Sequence, residues 1–286
     1  MSARIAMLLI MGLGIVGCKT STGTPATTLD TEQTQSTITR EHYKIHFAPA
    51  VAEDARAMDG FMAQAITNLQ VYFRRVDTAA ILADIAECDI YVYEEPNDRA
   101  NEGTATLFTE FVRVDGRDKI KASIHFLALS KHPPGSSTGA GEPKDANYIF
   151  KTLIHEYATI WLQLVTSRVG QWDLYEAPSW FVQGYQEYLG LTLAAEHSRT
   201  TTLNLYKQMV REQPSRIDTS FGISVRDPYY DGTVLLAFMH EVYGQERLLD
   251  LLSTRQGGFR AGIRAVAGSV DSFTERFETW RNNLPR

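Results

Sequence analysis

Residues 153–159 read Leu-Ile-His-Glu-Tyr-Ala-Thr, and positions 155 and 159 stand four apart. A helical period of 3.6 residues puts positions i and i+4 on one face. Two histidines at that spacing chelate one zinc ion, and a glutamate beside the first acts as general base on the metal-bound water. His155 and Glu156 are present, but position 159 is Thr159. A neutral hydroxyl is a poor donor to zinc, which prefers thiolate, imidazole and carboxylate. His240-Glu241 repeats the same two letters, with Gly244 four residues past the histidine, so the dipeptide alone decides nothing.

The setting of the first pair is more informative. From Asp145 to Ser167 the residues Ile149, Phe150, Leu153, Ile154, Tyr157, Ile160, Trp161, Leu164 and Val165 predict a buried helix with Asp145 as its N-cap. Lys151, His155, Glu156 and Gln163 break the run short of a membrane span. A core helix with one hydrogen-bonded histidine has the same pattern.

Farther along comes Pro178-Ser179-Trp180-Phe181-Val182-Gln183-Gly184-Tyr185-Gln186-Glu187-Tyr188. It resembles the segment that gluzincin zinc peptidases write approximately as Pro-x-Trp-Leu-x-Glu-Gly-x-x-Glu-Tyr. In that family the glutamate before glycine is the third zinc ligand; here the position is Gln183, and a carboxamide binds zinc far more weakly than a carboxylate. A third stretch, Asp227-Pro228-Tyr229-Tyr230-Asp231-Gly232 followed by Tyr243-Gly244-Gln245-Glu246, resembles the family's tyrosine-opened helix. The closing Phe273–Trp280 segment is similar to the last helix of bacterial peptidase-MA-like domains. The resemblance runs from about Glu41 to Trp280 and is specific in order and spacing.

It implies that His155 is the one retained metal ligand. Glu156 would hold the place of the base, and Tyr229 or Tyr230 the place of the oxyanion-steadying tyrosine, all as vestigial positions. It further implies a cleft lined by Trp180, Tyr185, Tyr229 and Glu187, with Ala122–Leu127 as the edge strand beside it. Two functions are then expected. One is a peptide- or protein-binding or scaffold module without a cofactor, taking a peptide on the sheet edge through main-chain hydrogen bonds. The other is an active zinc peptidase whose ligands are His155 with Glu187, Glu176 or a loop histidine. His125 reads more simply as a hydrogen-bonded strand residue and His132 as a solvated one.

The elements that must position these residues begin with strands. Tyr43–Phe47 and Cys88–Tyr93 alternate as strands, Asp54–Arg75 carries Met58, Met62, Ile66, Leu69 and Tyr72 at helical spacing, and Thr104–Val114 with Ile120–Leu129 reads as a hairpin about Asp115-Gly116. Strands first and helices after predict an α+β fold, a mixed sheet with helices on one side, in the gluzincin (thermolysin-type) arrangement by resemblance. Lys131–Lys144, rich in proline, glycine and serine, reads as a connecting loop.

Residues 1–17 carry Arg4 and an apolar run from Ile5 to Val16, the form of a secretory signal. Ile15-Val16-Gly17-Cys18 resembles a bacterial lipobox, which implies lipid on Cys18, a membrane anchor and a place in the cell envelope; Lys19 after the cysteine favours the outer membrane. Residues 18–38 read as a flexible tether and 39–286 as one domain. With Cys18 lipidated, Cys88 alone cannot form an intrachain disulfide. A net charge of −6 with dispersed cations argues against nucleic acid as a partner.

Overall fold

A computed structural model of the chain describes residues 35–101, 105–137, 143–194, 196–212, 216–217, 223–224, 227–255 and 257–284. The signal-like segment, Cys18 and most of the tether lie outside them. The elements are β1 (Ser36–Thr39), β2 (Lys44–Phe47), α1 (Ala52–Tyr72), α2 (Thr78–Ala83), β3 (Ile85–Tyr93), β4 (Thr106–Val114), β5 (Arg117–Leu127), α3 (Ala146–Val165), α4 (Ser179–Leu193), α5 (Glu196–Glu212), β6 (Arg216–Ile217), β7 (Ile223–Ser224), α6 (Tyr230–Tyr243), α7 (Gln245–Ser253), α8 (Gly258–Ala267) and α9 (Val270–Asn282). No helix among the described residues is long and apolar enough to cross a membrane.

The architecture is α+β: a five-stranded mixed sheet precedes a mainly helical part. Strand order is β1-β2-β3-β5-β4, with β2, β3 and β5 parallel and the outer strands β1 and β4 antiparallel to their neighbours. Alternation sorts the two faces. Ile45, Ile90 and Ile124 stand in register and are fully buried on the helix side, where α1 and α3 pack. The opposite face carries polar partners, with Glu87 bridging Lys44 at 3.1 Å and Lys121 at 2.7 Å. Asp115 and Gly116 both take positive φ, 51° and 77°, as a two-residue hairpin turn requires.

Two expectations need correction. Ala122–Leu127 belongs to β5, which lies between β3 and β4, so it is not an edge; β4, the first arm of the hairpin, occupies the outer position. The last residues of the stretch read as a tether are also placed in the sheet. Ser36–Thr39 pairs with β2 as β1, because a polar strand with one half-buried side needs only its main-chain partners to join a sheet.

Helix α4 is the centre of the helical part, packed between α3 and α6. Two glycines permit this. A Cβ at Gly190 would lie 2.9 Å from the Lys151 carbonyl oxygen of α3, and one at Gly184 would lie 2.3 Å from the Gly232 carbonyl carbon of α6. The loop before α3 is tied at its base by a bridge between Ser137 and Pro143, and the Asp145 carboxylate accepts the amides of Asn147 and Tyr148 as the expected N-cap.

Candidate functional site

Lys151, His155 and Thr159 lie at successive i+4 positions of α3 and share the face that meets α4. All three are buried, and a buried lysine requires a partner. It finds Glu187 of α4, whose Oε1 accepts from Lys151 Nζ at 2.7 Å and from the Tyr206 hydroxyl of α5 at 2.9 Å. The other oxygen, Oε2, lies 3.0 Å from His155 Nδ1. Tyr229, at the mouth of α6, stacks on the His155 ring with centroids 5.7 Å apart. Three helices, α3, α4 and α5, thus meet at one carboxylate, and Tyr229 covers its histidine.

The electrostatics follow from this placement. Burial by itself would raise the Glu187 carboxyl, but the Lys151 charge and the His155 hydrogen bond outweigh it and hold the group well below the usual carboxylate range. Its neighbour Glu156 has no such cation. Burial pushes the Glu156 carboxyl up to about 7; His155 opposes the rise and the Glu187 charge adds to it. The folded pKa of Glu156 therefore exceeds its ordinary value of 4.5, and the native state retains a proton that the unfolded chain has already released. The Glu156 contribution to stability is fully present below about pH 4.5 and is lost as pH rises to about 7, about 3 kcal/mol over the window. Glu156→Gln is expected to abolish this fall. Urea unfolding of both proteins at about pH 5 and about pH 8 checks it, and parallel pH dependences would contradict the assignment to Glu156.

The donors present do not fit a zinc ion. His155 offers a single imidazole, and with Nδ1 turned to Glu187 only Nε2 is left as a donor. The Thr159 hydroxyl donates to the His155 carbonyl at 3.3 Å, within its own helix. Gln183 is a carboxamide whose buried Oε1 has no hydrogen-bond partner among the described residues. Glu187 stands to His155 as an orienting carboxylate does to a ligand histidine, which makes it a neighbour of a site and not a co-ligand. No group of three or more histidines, cysteines or carboxylates able to hold a metal comes together among the described residues.

The alternative ligands lie elsewhere. His125 is the hydrogen-bonded strand residue expected: Nδ1 meets the Tyr93 hydroxyl at 2.8 Å and Nε2 the Ser123 hydroxyl at 3.1 Å. Burial first, then the Arg99 charge, pushes its pKa down to about 3. His132 is buried, not solvated. Glu176 is exposed beside the cleft bounded by Phe111 and Tyr175. The second His-Glu pair is structural: His240 bonds the Tyr188 hydroxyl, and Glu241 accepts from Lys207 and from the Trp280 indole.

Trp180 and Tyr185 do not line an open cleft, and neither does Glu187. Trp180 packs edge-on against Phe259, and the Tyr185 hydroxyl meets that of Tyr72 at 3.0 Å in the core. A helix central to its bundle has no solvent face, so aromatic residues on any side of it are core. Of the two tyrosines, Tyr229 lies at His155, while Tyr230 packs against Tyr206 at 4.7 Å. Lys151 and Tyr206 join the cluster without having been singled out by any motif. A lysine one turn before His155 in an otherwise apolar helix was the available signal.

Comparison with models of known protein families gives no match, and comparison with curated proteins gives no significant one.

Proposed function

We propose that the chain is a lipid-anchored, gluzincin-shaped pseudopeptidase that has lost zinc binding and proteolysis and serves as a peptide- or protein-binding or scaffold module. The observation that carries this reading is the donor set at His155: the Thr159 hydroxyl donates within its own helix and Gln183 brings an uncharged amide, so one imidazole stands where at least three good donors are needed. A lysine ammonium, a carboxylate with both oxygens taken and a stacked tyrosine ring surround the one retained histidine, where a hydrolase would need converging donors and an activated water. Order and spacing of the His155 helix, the Trp180–Gly184 helix and the Tyr230 helix support the family resemblance, as does their convergence in α3, α4 and α6. Cys18 would tether the domain to a membrane face of the cell envelope, the outer membrane by its Lys19 neighbour.

The reading predicts association with unfolded polypeptide without cleavage. Reduced, alkylated casein incubated with the purified protein and added zinc is expected to bind and to yield no new termini by mass spectrometry. Chelator-sensitive cleavage that disappears in Glu156→Gln would overturn the loss of proteolysis.

A further inference from the structure

A second feature lies two helical turns beyond His155, where the end of α3, the outer strand β4 and residues 171–176 enclose a cleft of about 550 Å³. That volume is ordinary for a ligand site. Its walls include Phe111, Gln163, Trp172, Asp173, Tyr175 and Glu176. We propose that this cleft takes the cationic side chain of a peptide, arginine or lysine, whose main chain lies along the outer edge of β4. The proposal deepens the peptide-binding reading above and rests on it.

The cleft is built and held open by the fold. The Trp172 indole N–H donates to the Leu252 carbonyl of α7 at 3.1 Å, and a Cβ at Gly170 would stand 2.4 Å from that same oxygen, so the segment is pinned closely against α7. The Asp173 carboxylate accepts the Tyr175 amide at 2.9 Å and fixes the turn. Pre-formed walls spare a ligand the cost of ordering them.

Its chemistry selects a donor with positive charge. Gln163 is only 3 % exposed; its amide nitrogen donates to the Tyr175 hydroxyl and to Thr109 Oγ1 at 3.3 Å, while its buried Oε1 has no partner among the described residues. A buried acceptor left without a donor is costly, and a ligand N–H relieves it. Asp173 and Glu176 add two exposed carboxylates, whereas no lysine, arginine or histidine is among the described lining residues. Arg168, in the turn after α3, is held by Asp84 at 3.0 Å and by the Asp118 carbonyl. Phe111 and Tyr175 are 59 % and 41 % exposed, two large aromatic rings at the mouth, and such rings attract a guanidinium or ammonium over their faces. β4 pairs with β5 on one side and has no described strand on the other, which leaves main-chain groups for an incoming strand.

The test uses the full chain and a blocked, strand-forming peptide with one central arginine, beside the same peptide carrying neutral, isosteric citrulline. Titration calorimetry at low salt is expected to show the arginine peptide binding about tenfold more tightly. Glu176→Gln and Phe111→Ala, both at exposed positions, are each expected to reduce that preference severalfold, while Val71→Ser on a remote exposed site leaves it unchanged. If both peptides bind equally and neither cleft variant matters, the cation site is wrong and the peptide-binding reading survives. If neither peptide binds, both fall.

Discussion

Glu187→Ala is expected to cost about 3–5 kcal/mol of folding stability, the loss typical when one partner is removed from a buried ion pair. The substitution leaves the Lys151 ammonium without its 2.7 Å partner in a site that is 5 % exposed, and it also strips acceptors from Tyr206 and His155. Removing both charges is expected to be far milder. In Lys151→Met combined with Glu187→Leu the desolvation of two ions disappears together with their attraction, so much of the single-variant loss is recovered. Urea unfolding at neutral pH measures both. A single-variant loss under about 1 kcal/mol would show a solvated, weak pair.

Gly232→Ala is expected to cost about 3 kcal/mol by overpacking the crossing of α4 and α6. A Cβ there would lie 2.2 Å from the Trp180 carbonyl oxygen and 2.9 Å from the Gly184 Cα, both backbone atoms of a buried helix that cannot turn aside as a side chain would. Gly60→Ala supplies the contrast. That glycine sits on the exposed side of α1 with nothing within 4 Å of a new Cβ, so the change is expected to stabilise by about 0.5–1 kcal/mol. Thermal or urea unfolding of the two variants should move in opposite directions. Equal, small effects would mean that α4 and α6 do not cross at these residues.

The legible parts of the chain are those where one pattern governs. α3 matches its apolar period and Asp145 cap, and the β4–β5 hairpin matches its Asp115-Gly116 turn, because burial of a stripe and a two-residue turn are both local decisions. The sheet order was not legible. Strand alternation identifies β5 but does not say that β4 would cover it, since pairing order depends on long-range contacts. α5 escaped notice because its residues, from Glu196 to Glu212, are polar at most positions and its packing comes from a few contacts such as Tyr206. At the site, spacing placed His155 and Thr159 on one face, but the carboxylate that joins Lys151, His155 and Tyr206 becomes visible only when α3, α4 and α5 meet. Trp180 and Tyr185 read as cleft residues from motif order, and α4 turned out to be enclosed on all sides.

The most direct test of the account is zinc content. The purified protein, loaded with zinc and dialysed, would be assayed by elemental analysis beside a Thr159→His, Gln183→Glu variant that restores the two changed ligand positions. No bound zinc is expected in the native protein, and close to one ion per chain in the variant. Stoichiometric zinc in the native protein would contradict the loss of zinc binding, whatever the variant does.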